Sequence, residues 1–301
     1  MLTAQPLRSP CLRYCLARSF ASVDGPKKVA VLKDTGIETF KAQAFELAKP
    51  ALLPHRCFKD VPAVSRWFTT VDEPDKESTV KLNEQYLSAF DTHIVPLELT
   101  TASGNFARID QPLSYFLSAS KLTKSRQISR DPIVSVYLAQ ASLSDLPPEL
   151  QADVPKPAIV LKAGRGDIYS SSIWLGEAPT NTPLHRDPNP NLFIQLAGRK
   201  IARLFPPKVG QGIFAAVQDE VGGIGNALIR GEEMMMGKEK VALEAAVWGD
   251  HQGEVGSGQY DGHAWSAELE SGDALFIPKG WWHSIKGVGN GMTGSVNWWF
   301  R

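Results

Sequence analysis

The sequence predicts a mainly β protein, a barrel or sandwich of short strands with a helical region ahead of it. Three observations carry this. From Ala158 onward, strand-like runs follow one another: 158–164 (AIVLKAG), 167–176, 191–198, 200–207, 274–278 and 295–300. Gly, Pro, Asn and Asp punctuate them, as expected of an all-β unit built from short strands. Ahead of them, apolar residues recur at helical spacing with capping residues before them.

In chain order, Ile37–Leu47 reads as a helix with Asp34 or Thr35 before it, and Val61–Phe68 and Val80–Phe90 as two more. Pro96–Thr100 and Ile133–Gln140 read as strands, and Leu113–Ser118 as a helical turn. Between Pro207 and Gly272 the sequence is first Gly-rich, and Ile229–Trp248 then reads as a helix interrupted near Gly237. The resulting organisation is a helical and strand region over 27–130 and a barrel over 131–301, with an insertion at 208–271. The cluster Gly222, Gly223 and Gly225 lacks a preceding strand and the rest of a dinucleotide fingerprint, so it reads as a loop.

The chain has 301 residues, 43% hydrophobic and 21% charged, ample for a large core. Its 32 basic and 32 acidic residues balance, which removes a whole-chain electrostatic case for nucleic-acid binding. No run approaches the ~20 apolar residues of a membrane helix, so membrane insertion is not expected. The first twenty residues differ from the rest: Arg8, Arg13 and Arg18 are the charges before Asp24. An Arg-bearing, acid-free start is the pattern of an organellar transit peptide, here residues 1–20 with a cut after Phe20. The reading expects import into the mitochondrial matrix; a cytoplasmic or nuclear protein with a loose tail is the alternative. Of three cysteines, two lie in this segment, so no internal disulfide framework is expected. Cys57 reads as a small packed residue.

The segment Thr182–Pro207 carries the chemistry. His185 and Asp187 are two apart, and on extended backbone such residues share a face. Asp187 and Asn189 each precede a proline, which disfavours helix there. An imidazole nitrogen and a carboxylate oxygen then converge on one cation, and a third ligand completes the site. His283 is favoured: the strand 274–278 and the turn Pro278–Gly280 return it to the barrel wall. His251 and His263 sit among loop residues, and His55 and His93 lie in the helical front. Two histidines and one carboxylate form the facial triad of non-haem Fe(II) sites, and they can also hold zinc. Lys200, on the second strand of a hairpin, shares a face with Ala202 and Leu204. A lysine so placed either snorkels to water or meets a buried anion.

Together these segments resemble the Jumonji-C branch of cupin-like Fe(II)/2-oxoglutarate-dependent oxygenases, and most closely its small hydroxylase-type members. The matching pieces run in family order. They are Tyr137-Leu-Ala-Gln140, Pro148-Glu-Leu150, Ile173-Trp-Leu-Gly176, Thr182-Pro-Leu-His-x-Asp187, Asn191, Gly198-Arg-Lys200 and Leu204-Phe-Pro-Pro207. Gly272-Asp-x-Leu-Phe-Ile-Pro278, Trp282-His283 and Ser295-Val-Asn-Trp-Trp299 complete the series.

The resemblance implies a double-stranded β-helix, the jelly-roll barrel of cupins. It implies that His185, Asp187 and His283 hold Fe(II), with O₂ and 2-oxoglutarate as co-substrates. Lys200 would pair with the distal carboxylate of 2-oxoglutarate, helped by the hydroxyls of Tyr137 and Thr182. Asn191 and Asn297 would lie near its metal-chelating end, and Trp174 would wall the pocket. The implied function is hydroxylation of a protein substrate, or of RNA, with release of succinate and CO₂. Alternatives are N-methyl-lysine demethylation and a non-catalytic cupin-like binding module. A zinc hydrolase is disfavoured by the lack of HExxH. The pairs Trp281-Trp282 and Trp298-Trp299 are expected near the mouth, at least two of the four as core. With no helical bundle after the barrel, a monomer is expected.

Overall fold

A computed structural model describes residues 25–72, 78–124, 130–223, 235–249 and 258–301. The expected transit peptide lies outside these residues, as does His251. The strands, in chain order, are β1 (Lys27–Lys28), β2 (Ala51–Leu52), β3 (Phe68–Val71), β4 (Thr79–Leu82), β5 (Ile94–Thr101), β6 (Phe106–Pro112), β7 (Ile133–Ser142) and β8 (Ile168–Glu177). They continue as β9 (Thr180–Arg186), β10 (Asn191–Ala197), β11 (Arg199–Phe205), β12 (Trp265–Leu269), β13 (Ala274–Ile277), β14 (Trp282–Val288) and β15 (Met292–Phe300).

Eight of these make the barrel. β13-β10-β15-β8 form the centre of one sheet and β12-β11-β14-β9 the bulk of the other, with every neighbouring pair antiparallel. From β8 to β15 the chain crosses repeatedly between the two sheets, which makes a double-stranded β-helix, a jelly roll. The larger sheet continues through β7, β5 and β6 beyond β8, and β9 is the edge of the smaller one. Phe193, Ala202, Leu204, Leu275, Ile277 and Ile285 from both sheets pack in one cluster, so the sheets meet face to face.

Each sheet is also covered on its outer face. Leu192, Ile194, Val296 and Trp298 pack on Phe40, Trp67 and Phe116 of the N-terminal region. Leu184, Phe205 and Trp282 pack on Phe214 and Trp248 of helices Pro207–Val221 and Gly237–Trp248. Double coverage is why β10 reads as a continuous apolar run rather than an alternation. The segment 208–271 holds these two helices, and its last part is β12, a strand of the smaller sheet.

Four sequence expectations change in detail. The run 158–164, read as a strand, is the helix Ala158–Lys162, with Ile159 and Val160 buried. In so short an apolar run periodicity does not separate helix from strand, and Pro157 starts the helix. Ile37–Leu47 is helix to Phe40 and then a π-helical turn, Lys41–Phe45. Val80–Phe90 divides at Asn83: β4 ends before it, and Asn83 caps the helix Glu84–Leu87 by accepting from the Tyr86 N–H. The Gly-rich start of segment 208–271 is the fifteen-residue helix Pro207–Val221. Its Gly210 is a packing necessity, since a Cβ there would lie 2.1 Å from Trp282 Cγ. Trp282 and Trp298 are fully buried core residues, at 0% and 1% exposure.

A candidate metal centre in the barrel

The β9 segment runs extended into Asp187-Pro188, and its side chains alternate. Leu184 turns outward into the helix-covered cluster, while His185 turns inward. β14 lies beside β9 with His283 directly opposite His185. Trp282 turns outward as Leu184 does, so packing on the outer face fixes which side chains point in. The two imidazole rings lie 4.2 Å apart between centroids.

Asp187 sits just past the end of β9 and completes the group. Its Oδ1 is 4.0 Å from His185 Nε2, and its Oδ2 is 3.6 Å from His283 Nε2. All three residues are buried and offer ligand atoms within 4.8 Å of one another, the one such group among the described residues. His185 Nδ1 lies 2.8 Å from the Pro183 carbonyl and His283 Nδ1 3.2 Å from that of Trp281. A carbonyl only accepts, so each Nδ1 carries the proton and each Nε2 lone pair faces Asp187. Burial, reinforced by His283, pushes the His185 pKa down to about 4, so at neutral pH its imidazole is neutral, the form able to ligate a metal.

Asp187 is 6% exposed, and among the described residues its carboxylate accepts one hydrogen bond, from Asn191 Nδ2 at 3.0 Å. A buried carboxylate facing two imidazole nitrogens calls for a cation. Two nitrogens and one oxygen on one side of a pocket fit a divalent transition metal with open positions. Asn191 holds the carboxylate in place, which fixes the direction of its lone pairs. Asn191→Ala is expected to weaken metal binding by about 10–100-fold, the usual cost of losing such a partner. Titration of the purified protein with Mn(II) reads this directly.

The cavity beside the triad receives the other expected residues. Tyr137, Trp174, Thr182, Lys200 and Asn297 all line it. Lys200 is 3% exposed and faces inward with Ala202 and Leu204, as the strand alternation requires. Its Nζ lies 2.8 Å from Ser295 Oγ, 3.5 Å from the Tyr137 hydroxyl and 5.4 Å from the Phe193 ring centre. No carboxylate lies within ion-pair distance of it among the described residues, and burial pulls its pKa down to about 7. Burial raises the Tyr137 hydroxyl above its usual value, so it stays protonated. Gly176 lets the Tyr137 ring lie against β8, because a Cβ there would be 2.0 Å from Tyr137 Cδ2. Trp174 Nε1 and Asn297 Oδ1 are sealed from water without a partner, so the cavity wall carries unmet polar atoms.

Asn191 thus touches Asp187, while Thr182 lines the pocket and its carbonyl accepts from Ser284. His55 pairs with Asp273, 2.9 Å away, and His93 lines an apolar hollow, so neither joins the triad. Trp299, expected near the mouth, does line the cavity, and Phe193, Ile285 and Ser295 line it as well. Ser295 and Trp299 flank Asn297 at spacing two on β15, so alternation alone places them there.

The chain is 30% identical over 187 residues to a protein named Lysine-specific demethylase JMJ30 from Arabidopsis thaliana, covering 62% of this chain and 37% of that one. It is 38% identical over 79 residues to Lysine-specific demethylase 8 from Danio rerio, covering 26% and 20%. It is 24% identical over 292 residues to Jumonji C domain-containing protein 5 from Drosophila melanogaster, covering 94% and 62%. The chain therefore spans less than two thirds of each of these relatives. The profile of the cupin-like domain matches residues 37–301, which takes in most of the N-terminal region, the barrel and every residue of the triad. The chain belongs to the cupin-like family of the Jumonji-C type.

Proposed function

We propose that the protein is an Fe(II)- and 2-oxoglutarate-dependent oxygenase that hydroxylates a protein side chain. The observation that carries this is Lys200, a buried ammonium without a carboxylate partner among the described residues, in the same cavity as the triad. A zinc hydrolase has no use for a cation there, whereas a dicarboxylate chelated at one end needs one at the other. Fe(II), when bound, supplies the activation of O₂ that converts 2-oxoglutarate to succinate and CO₂ and oxidises a substrate C–H bond.

The chain's own residues do the rest. His185, Asp187 and His283 hold the metal at one end of the cavity. Lys200 meets the distal carboxylate, Ser295 and Tyr137 fix the ammonium, and Thr182 adds a hydroxyl. Trp174, Phe193 and Ile285 exclude water. A second reading, N-methyl-lysine demethylation, is favoured by the names of two relatives. The two chemistries share the site and differ in the carbon oxidised. The protein with Fe(II), ascorbate and 2-oxoglutarate is expected to release succinate; no release overturns the oxygenase reading. Formaldehyde appearing with a methylated substrate selects demethylation.

The acid-free, Arg-bearing segment 1–20 supports action in the mitochondrial matrix. A C-terminal fluorescent fusion is expected in mitochondria, and its 1–20 deletion in the cytosol. Cytosolic signal from the intact chain refutes this.

A further inference from the structure

The side chains of β9 that face the metal cavity are unevenly spaced. Thr180 hydrogen-bonds the Tyr137 hydroxyl on the cavity wall, and Thr182 lines the cavity itself, so these two share the inward face. On unbroken extended backbone Leu184 would follow them. Instead Leu184 packs outward and His185 turns in. The register accounts for this: Ile285 of β14 pairs with Thr182 and His283 with His185, so Pro183 and Leu184 together oppose Ser284 alone. Such an extra residue is a β-bulge, and it exchanges the two faces of the strand beyond it. Without the bulge, either Thr182 or His185 would leave the cavity.

The bulge is gripped from the outer face of the sheet. Pro183 suits it, having no N–H to give to a ladder. The Thr182 carbonyl accepts from Ser284 Oγ at 2.8 Å, and Ser284 Oγ accepts in turn from Trp248 Nε1 at 2.8 Å. Inside the bulge, the Pro183 carbonyl is the acceptor for His185 Nδ1, so the backbone shaped there also sets the imidazole. Trp248 is the last residue of helix Gly237–Trp248 and is fully buried. Its ring is held by two cations, 4.6 Å from the Arg203 guanidinium carbon and 5.3 Å from Lys286 Nζ. Each cation is tied to a carboxylate, Arg203 to Asp261 at 2.7 Å and Lys286 to Glu244 at 2.8 Å. Arg203 and Ser284 stand opposite each other in the β11–β14 register, so the same grip sets the indole N–H on the Ser284 hydroxyl.

We propose that Ser284 and Trp248 are positioning residues of the metal centre: the hydrogen-bond chain Trp248–Ser284–Thr182 holds the β9 bulge, and through it the direction of His185 Nε2 and the place of Thr182. Neither side chain enters the cavity, and Trp248 belongs to a helix outside the barrel. That helix is thereby a working part of the site. The proposal rests on the proposed oxygenase reading for what the positioned ion does, while the positioning itself is a property of the metal-free chain.

The test needs no turnover. In ring-nitrogen NMR spectra of the histidine-labelled, metal-free chain, His185 is expected to carry its proton on Nδ1. Ser284→Ala should shift it towards a mixture of tautomers, and Ser284→Thr, which keeps the hydroxyl, should restore the parent signal. Titration with Mn(II) should show Ser284→Ala binding about tenfold more weakly, the low end of what outer partners of a ligand contribute, with recovery in Ser284→Thr. Trp248→Phe keeps a ring between the cations without the N–H and should lose several-fold. The two residues act in series, so the double variant Ser284→Ala, Trp248→Phe should lose no more than Ser284→Ala alone. Leu243→Ala is the control: it truncates a fully buried side chain of the same helix outside the chain of hydrogen bonds, and should lower the melting temperature with Mn(II) affinity unchanged. A parent-like tautomer and Mn(II) affinity in Ser284→Ala, additive losses in the double variant, or an equal loss in Leu243→Ala overturns the proposal. If Ser284→Ala fails to fold, by circular dichroism, Trp248→Phe carries the same readings. If the parent binds no Mn(II) or no 2-oxoglutarate while Ser284→Ala still redistributes the His185 tautomers, the oxygenase reading fails and the positioning stands.

Discussion

Lys200→Ala is expected to raise the 2-oxoglutarate requirement by roughly 30- to several-thousand-fold while metal affinity changes little. Lys200 Nζ sits in a shielded pocket on Ser295 Oγ and beside the Tyr137 hydroxyl, with no carboxylate to pair with among the described residues. Truncating one partner of a buried, hydrogen-bonded charge pair costs ~2–5 kcal/mol, much of it the penalty of leaving the other charge unpaired. At about 1.4 kcal/mol per tenfold, the range above follows. Lys200→Arg should recover only part of the loss, because its planar fork does not replace a compact point charge held by Ser295.

The same lysine sets a pH dependence. Burial leaves it with a pKa of about 7 in the free protein. The protonated form binds the dianion, so affinity should fall as pH rises above about 7, approaching tenfold per unit as binding takes up one proton. Calorimetry in buffers of different ionisation enthalpy counts that proton. A Lys200→Ala variant with unchanged 2-oxoglutarate affinity would make Lys200 an ordinary strand residue and reopen the zinc reading.

What was legible in the sequence follows from what local physics fixes. The prolines after Asp187 and Asn189 enforce extension, so His185 and Asp187 on one side of the chain could be read directly. Alternation placed Lys200 with Ala202 and Leu204, and the structure keeps that face inward. His283 needed more, since the β9–β14 register that sets it opposite His185 is a long-range pairing; the turn before it and the family pattern supplied the rest. Helix Pro207–Val221 was hidden by Gly210 and Gly212, which lower helix propensity; at Gly210 the reason is the approach of Trp282, invisible before folding.

Asp187→Ala and His185→Ala are expected to abolish succinate release and metal binding while leaving the fold intact. The barrel does not depend on the triad for its shape. β9 and β14 are held by their backbone ladder, by Leu184 and Trp282 packed outside, and by Ser284 Oγ donating to the Thr182 carbonyl. Without metal, Asp187 is itself a buried carboxylate with one hydrogen bond, so its removal relieves a desolvated charge as well as opening a small gap. The apo variants should therefore melt close to the parent.

The contrast appears on adding metal. A ligand that binds only the folded state stabilises it by RT ln(1 + [L]/Kd), about 2.7 kcal/mol at a hundredfold excess over Kd. Anaerobic Fe(II), or Mn(II) in air, should raise the parent's melting temperature. Neither substituted chain should respond, because two ligands of three leave the cation underheld. Glutamate at position 187 makes the geometry the test: it keeps the charge, but its longer arm moves the oxygens away from the 3.6 Å and 4.0 Å approaches to the two imidazoles. Asp187→Glu should retain part of the thermal shift and little turnover. A full metal-dependent shift in Asp187→Ala would place the ion elsewhere and remove the basis for the oxygenase chemistry.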